Sequence, residues 1–229
     1  MRKILKSFAS VILVPLTQWY LRKKRKYTFR GTTVTVLPGV FHPGIFHSTT
    51  FVLKYLEQQP LDNKKLLEIG SGTGLISIRA AKAKALVTAT DLSLLAIENT
   101  AMNAKLNNAQ IHIVQSDLFT HLEKNIFDWI VINPPYYARN PQNETDLAWY
   151  CGENFEYFRK LFAQLKNYLK PDTMTVIVLT RGCDLKKIFS IAGQHGFQFD
   201  LLKEKRVWFD GKDFLYSIKP ISSTVSTQV

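Results

Sequence analysis

Residues 66–74 read Leu-Leu-Glu-Ile-Gly-Ser-Gly-Thr-Gly. An apolar run passes directly into Gly70, Gly72 and Gly74, and an alanine-rich stretch of helical pattern follows over residues 75–85. A strand, a glycine bend and a helix are the direct reading. Glycine lets the backbone turn sharply and lets a ligand lie close against it, and the start of the helix adds unpaired N–H groups. The spacing is G-x-G-x-G rather than the G-x-G-x-x-G of dinucleotide sites, and no Gly-Lys-Ser/Thr follows, which argues against a phosphate-binding P-loop. Glu68 stands two residues before the first glycine, at the end of a buried strand. A carboxylate there is costly unless it has partners, and either a cationic ligand or the N–H groups of the bend would supply them.

Outward from this bend the pattern alternates. Strands are expected at 65–69, 86–90, 111–114, 127–132 and 174–179, with helices at 75–85, 94–106, 153–169 and 185–195. Two last strands, 197–207 and 214–219, are joined by a turn at Asp210-Gly211. Such alternation predicts an α/β fold: a mostly parallel seven-stranded sheet, one antiparallel strand near the C-terminus, and helices on both faces. Ligands in sheets of this kind lie beyond the carboxyl ends of the strands. Asp91 ends the strand after the bend, where an acidic side chain accepts ribose hydroxyls. Asp117 ends the next strand, at a position suited to an adenine. As a bland alternative, both acids cap helices.

A second motif follows the strongly apolar strand 127–132. Asn133-Pro134-Pro135-Tyr136, with Tyr137 after it, sits at the carboxyl edge of the sheet. The prolines stiffen the loop and remove two N–H donors. What remains is a pair of acceptors, the Asn133 side-chain oxygen and the Pro134 carbonyl, beside the flat face of Tyr136. That set suits a planar NH2 group, whose two hydrogens it would hold in a fixed plane. Pro135 and Tyr137 are the adjoining candidates for substrate contact.

Residues 66–74, Asp91, Asp117 and the Asn-Pro-Pro-Tyr loop together resemble the successive motifs of class I, Rossmann-like methyltransferases that modify amino nitrogens. Within that class the chain is most similar to the HemK/PrmC branch, which methylates a glutamine of peptide release factors. Trp149-Tyr150-Cys151-Gly152-Glu153-Asn154 and Thr50-Phe51 add to the likeness; Ser48-Thr49 stand where that branch usually carries an acidic residue. The resemblance spans about residues 41–220. It implies S-adenosyl-L-methionine as cofactor, held by Glu68, Gly70, Gly72, Gly74, Asp91, Asp117 and Asn133. It implies target-nitrogen roles for Asn133, Pro134 and Tyr136. A protein glutamine amide is the expected acceptor, in a release factor or ribosomal protein. An adenine amine in RNA or DNA fits the same loop, and a non-catalytic nucleoside-binding module is the rival of another class.

The chain of 229 residues is 46% hydrophobic, enough for one α/β domain with additions. Its organisation is expected as a basic N-terminal extension over 1–60 (helix, strand, helix), the catalytic domain over 61–220 and a flexible tail over 221–229. Of 30 Lys and Arg, ten precede Glu57, where no Asp or Glu occurs; residues 57–229 carry 20 basic and 18 acidic groups, a net of +2. The +12 charge is therefore an N-terminal property, and the run Arg22 to Lys26 points to an anionic partner: RNA, the ribosome or an anionic membrane surface. Residues 8–16 are apolar but too short to cross a bilayer, which needs about 20 residues, and no small-residue cleavage site follows. A helix over residues 4–19, packed on the domain, is expected instead. Two cysteines without metal-ligand spacing favour a reduced, cytoplasmic setting, and a monomeric enzyme is expected. His42 and His47 lack a third ligand, so no metal is expected. Phe155, Tyr157, Phe158 and Phe162 read as core.

Overall fold

The computed structural model describes residues 21–124, 126–207 and 211–221. The expected helix over 4–19, Asp210 of the last turn and the tail from Ser222 onward lie outside the described residues.

A seven-stranded sheet carries the molecule. Its strands are β3 (Lys65–Ile69), β4 (Leu86–Asp91), β5 (Ile111–Gln115), β6 (Trp129–Ile132), β7 (Met174–Thr180), β8 (Phe197–Val207) and β9 (Gly211–Pro220). Their order is β5-β4-β3-β6-β7-β9-β8. All neighbours from β5 to β7 are parallel, and β9 runs antiparallel to both β7 and β8. The expected sheet, with its one antiparallel strand, is the sheet observed. Strand order reverses between β3 and β6, and that switch point is where open α/β sheets bind ligands.

The helices are α1 (His47–Leu56), α2 (Leu75–Lys82), α3 (Leu94–Leu106), α4 (Glu156–Leu165) and α5 (Leu185–Gln194). Two apolar cores flank the sheet, and successive strand residues feed them in turn. Ile130 and Ile132 of β6 join Phe158, Phe162 and Ile188 on one face; Trp129 and Val131 join Val52, Leu53 and Ile76 on the other. A sheet covered on both faces needs apolar residues at every position, which is why β6 reads Trp-Ile-Val-Ile without alternation.

The charged stretch before residue 30 contains a strand that composition concealed. β1 (Arg25–Phe29) pairs antiparallel with β2 (Thr32–Val36). Arg30 and Gly31 make the turn with φ of 43° and 76°, the left-handed pair that a two-residue hairpin requires. Lys26 and Thr28 face solvent while Phe29 is buried. The hairpin is stitched to α3 by an asparagine ladder. Asn99 Nδ2 and Asn103 Nδ2 each donate to the Thr35 carbonyl at 2.8 Å, and Asn103 also donates to the Thr73 carbonyl at 2.9 Å. These buried amides tie β2 to the glycine bend.

Both ends of the expected helix over 153–169 differ from expectation. α4 begins at Glu156 rather than 153, because Gly152 and Phe155 have φ of 87° and 62° and no helix passes through them. It ends at Leu165, with a 3-10 turn over Lys166–Tyr168. Among the described residues no helix is long and apolar enough to cross a membrane.

Candidate active site

A cavity of about 410 Å³ opens at the carboxyl ends of the strands flanking the switch point. That volume is ordinary for a small-molecule site. Glu68, Gly70, Gly72, Asp91 and Asp117 line it on one side, and Asn133, Pro134, Pro135 and Tyr136 on another. Gly74 and Tyr137 do not line it.

The bend is built as follows. Ile69 of β3 lies opposite both Thr90 and Ile132, so Gly70 and Asn133 emerge from neighbouring strand ends. Gly70 and Ser71 donate their N–H groups to the Thr90 carbonyl at 2.8 and 2.9 Å. Gly70, Gly72 and Gly74 have φ of 76°, 54° and 73°, a region that favours glycine. They serve different purposes. A methyl group at Gly70 or Gly72 would meet nothing nearer than 3.8 Å, so the space before them is open. At Gly74, which precedes α2, it would sit 2.8 Å from Thr100 Cγ2. Gly74 is a packing glycine against α3.

Glu68 is 3% exposed and spends one carboxylate oxygen on the start of α2: Ser77 N donates at 2.9 Å and the Ser77 hydroxyl donates to the same atom. Burial pushes its carboxyl up to about 8, and the neighbouring Asp91 charge adds to the rise. Asp91 accepts from Gly72 N at 2.9 Å and from Ser93 N at 3.0 Å. Burial raises its carboxyl above the usual range, against the pull of those N–H groups. Asp91 is not the helix cap; Ser93 caps α3, accepting from Ala96 N at 3.1 Å. Asp117 is ion-paired with Lys160 of α4.

At the other end, Asn133 Nδ2 donates to the Thr49 hydroxyl at 3.3 Å. α1 starts at His47 with no side-chain cap, so the Thr49 hydroxyl is not spent on capping and serves the loop. Tyr136 N and Tyr137 N both donate to the Trp149 carbonyl, at 3.2 and 3.0 Å, and Cys151 N donates to the Tyr137 carbonyl at 3.0 Å. The Asn-Pro-Pro-Tyr loop and the segment from Trp149 are thus one folded unit. Trp149 packs against Phe41 and Phe46, with ring centroids 5.2 and 4.6 Å away. Tyr137 is 42% exposed and its ring leans on Tyr136 at 4.8 Å.

The sequence profile of the methyltransferase small domain family matches residues 31–197. The chain belongs to that family. It is 31% identical over 186 residues to a protein of Methanocaldococcus jannaschii named as a protein N5-glutamine methyltransferase, covering 79% of this chain and 92% of the relative. It is 30% identical to a Lactococcus lactis release factor glutamine methyltransferase over 72% of this chain, and spans 64% of that enzyme's length. Among solved structures it resembles a T. thermophilus 16S rRNA methyltransferase in complex with AdoMet and guanosine, with a TM-score of 0.64 and 20% identity over 86% of this chain and 50% of the other.

The methyltransferase uses S-adenosylmethionine, and the residues present fit it. Two carboxylates at adjacent strand ends suit hydroxyl and amine hydrogens, and the open glycine bend leaves room for a ligand against the backbone. Three residues of the cavity were not found from sequence. Thr49 is hidden in a run of hydroxyl residues. Tyr157, read as core, faces the cavity. Glu144, from a 3-10 turn in the loop after Tyr137, accepts from Ser93 Oγ at 2.7 Å and Leu95 N at 3.2 Å. No motif marks a single acid in a polar loop.

Cys151 and Cys183 are buried, and burial pushes each thiol up to about 11, which makes neither a nucleophile at neutral pH. His42 Nδ1 accepts from Gly44 N and Ile45 N at 3.1 and 3.2 Å, closing a turn. Among the described residues no group of three or more His, Cys, Asp or Glu is placed to hold a metal ion.

Proposed function

We propose that this methyltransferase methylates the side-chain amide nitrogen of a glutamine in a protein substrate. The observation that carries the reading is the state of Asn133. Its Nδ2 is spent on Thr49, which leaves Oδ1 as the acceptor at the cavity. Bound S-adenosylmethionine supplies a methyl group activated by its sulfonium. The chain's own task is to present a weak nucleophile in line with it. Asn133 Oδ1 and the Pro134 carbonyl accept the two N–H groups of the amide and hold it flat, and the Tyr136 ring covers one face. Fixing two reactants in this way supplies about 7–11 kcal/mol of the barrier in favourable cases. No strong base is required, because a methylated amide nitrogen sheds its proton readily to water. The likeness to a glutamine methyltransferase over 92% of that relative's length supports an amide as acceptor. Two buried, free cysteines suit a reduced cytoplasmic setting.

A second reading, an adenine amine in RNA, is favoured by one feature: Arg22, Lys23 and Lys24 are exposed just before β1 and Lys26 is exposed on it. Such a cluster holds phosphate without reading sequence. Labelled-methyl transfer from S-adenosylmethionine, run in parallel on release factor, ribosomal particles and tRNA, separates the two. The proposal expects label in protein. Label in nucleic acid alone overturns it.

A further inference from the structure

Tyr157 lies on α4 one turn before Lys160, and both line the cavity. Residues three apart share a helix face, and Lys160 is held by Asp117 at the end of β5. The tyrosine therefore faces the strand ends from which Asp91 and Asp117 project. Its ring packs edge-on against Phe158 at 5.4 Å, and its backbone N–H donates to the Cys151 carbonyl at 3.0 Å. Among the described residues no group hydrogen-bonds to its hydroxyl. Tyr157 is half-buried on the cavity lining, where a ligand atom can reach its hydroxyl, and a phenylalanine would fill the same space without offering a donor. Burial, with the charges of Asp91 and Asp117 close by, keeps the phenol protonated far above neutral pH, so it is a donor under all ordinary conditions.

We propose that Tyr157 is a cofactor-binding residue whose hydroxyl donates a hydrogen bond to the adenosine half of S-adenosylmethionine. The chemistry of the wall is otherwise one-sided. Asp91 and Asp117 only accept, and so serve the hydroxyl and amine hydrogens of a nucleoside. An adenosine also carries ring nitrogens and ether oxygen that only accept. A neutral donor on the facing helix, lining the same cavity, supplies what they lack. A cationic donor would instead be drawn onto the carboxylates, as Lys160 is. The assignment rests on the cofactor identified above, and on nothing about the methyl acceptor.

The test is titration calorimetry of the full chain with S-adenosylhomocysteine and with methylthioadenosine, which keeps the adenosine and lacks the amino-acid end. Tyr157→Phe is expected to raise Kd for both ligands by the same factor, about five- to tenfold. The thermal midpoint of the ligand-free protein is expected to hold, because the packing of the ring is kept. Kd values within twofold of wild type for both ligands overturn the proposal. So does a loss confined to S-adenosylhomocysteine, which would place the hydroxyl at the amino-acid end. Wild-type protein that binds neither ligand overturns the cofactor assignment itself, a result distinct from the other two.

Discussion

Asn133 Nδ2 donates to the hydroxyl of Thr49, a residue 84 positions earlier in the chain and 3.3 Å away in space. One hydrogen bond thereby orients the Asn133 amide, and under the proposed function it decides which end of that amide meets the substrate. Without it the side chain is free to turn its NH2 toward the cavity, and two donors would then face each other.

Thr49→Val keeps the volume and removes the acceptor. The expected outcome is a fall in kcat of about tenfold, the scale of one hydrogen bond lost at the reacting group. Thr49→Ser is expected to restore most of it. Calorimetric Kd for S-adenosylhomocysteine stays near wild type in both variants, because Thr49 acts on the acceptor side. Equal kcat in wild type and Thr49→Val would remove Thr49 from the mechanism.

Gly70 and Gly74 separate ligand space from packing. At Gly74 an added methyl meets Thr100 at 2.8 Å in a left-handed backbone, so Gly74→Ala is expected to destabilise the fold by about 1–3 kcal/mol. At Gly70 the space is open, so Gly70→Ala costs only about 1 kcal/mol of backbone strain while weakening cofactor binding. Urea denaturation alongside ligand titration distinguishes the two. Similar stability losses with no change in Kd for either variant would contradict the division.

Glu68 sets a pH dependence. Its buried carboxyl keeps a proton up to about 8, whereas the unfolded chain releases it near the ordinary 4.5. Between those values the folded state binds more protons than the unfolded one, so stability falls as pH rises through that window and levels off above it. Glu68→Gln lacks the proton and is expected to flatten this fall. Denaturation midpoints of both proteins from pH 5 to 9 test it. Parallel profiles would show that Glu68 does not carry the effect.

Glu144 ties the loop after Tyr137 to the start of α3 through Ser93 and Leu95 N, and those hydrogen bonds hold its carboxyl below the usual range. Glu144→Ala is expected to speed dissociation of S-adenosylhomocysteine several-fold, about the effect of one lost hydrogen bond. Stopped-flow displacement measures it. An unchanged dissociation rate would show that this loop end does not restrain the product.

The sheet was legible because a strand buried on both faces cannot afford polar residues: Trp129 to Ile132 can be little else. The glycine bend was legible because three alternating glycines have few other uses. β1 was not, because its inward residues, Tyr27 and Phe29, are outnumbered by the lysines and arginines beside them. At the site, the strand-end acids and the Asn-Pro-Pro-Tyr loop could be read from local order alone. Thr49, Glu144 and Tyr157 could not, since each acquires meaning only through a contact made across the fold. Tyr157 sits among Phe155, Phe158 and Phe162, and periodicity does not separate a cavity wall from a core when both lie on one amphipathic helix. Gly74 shows the converse: a residue inside the motif whose neighbour is Thr100 and not the cavity.

Under the proposed function, Asn133 holds a planar amide for methylation. The direct measurement is mass spectrometry of release factor after incubation with S-adenosylmethionine and either wild-type or Asn133→Ala enzyme. The account predicts one glutamine gaining a methyl group with wild type, and a rate lower by about a hundredfold or more with the variant, whose affinity for the cofactor product stays measurable. Methylation of the same glutamine at equal rates by both proteins would contradict it.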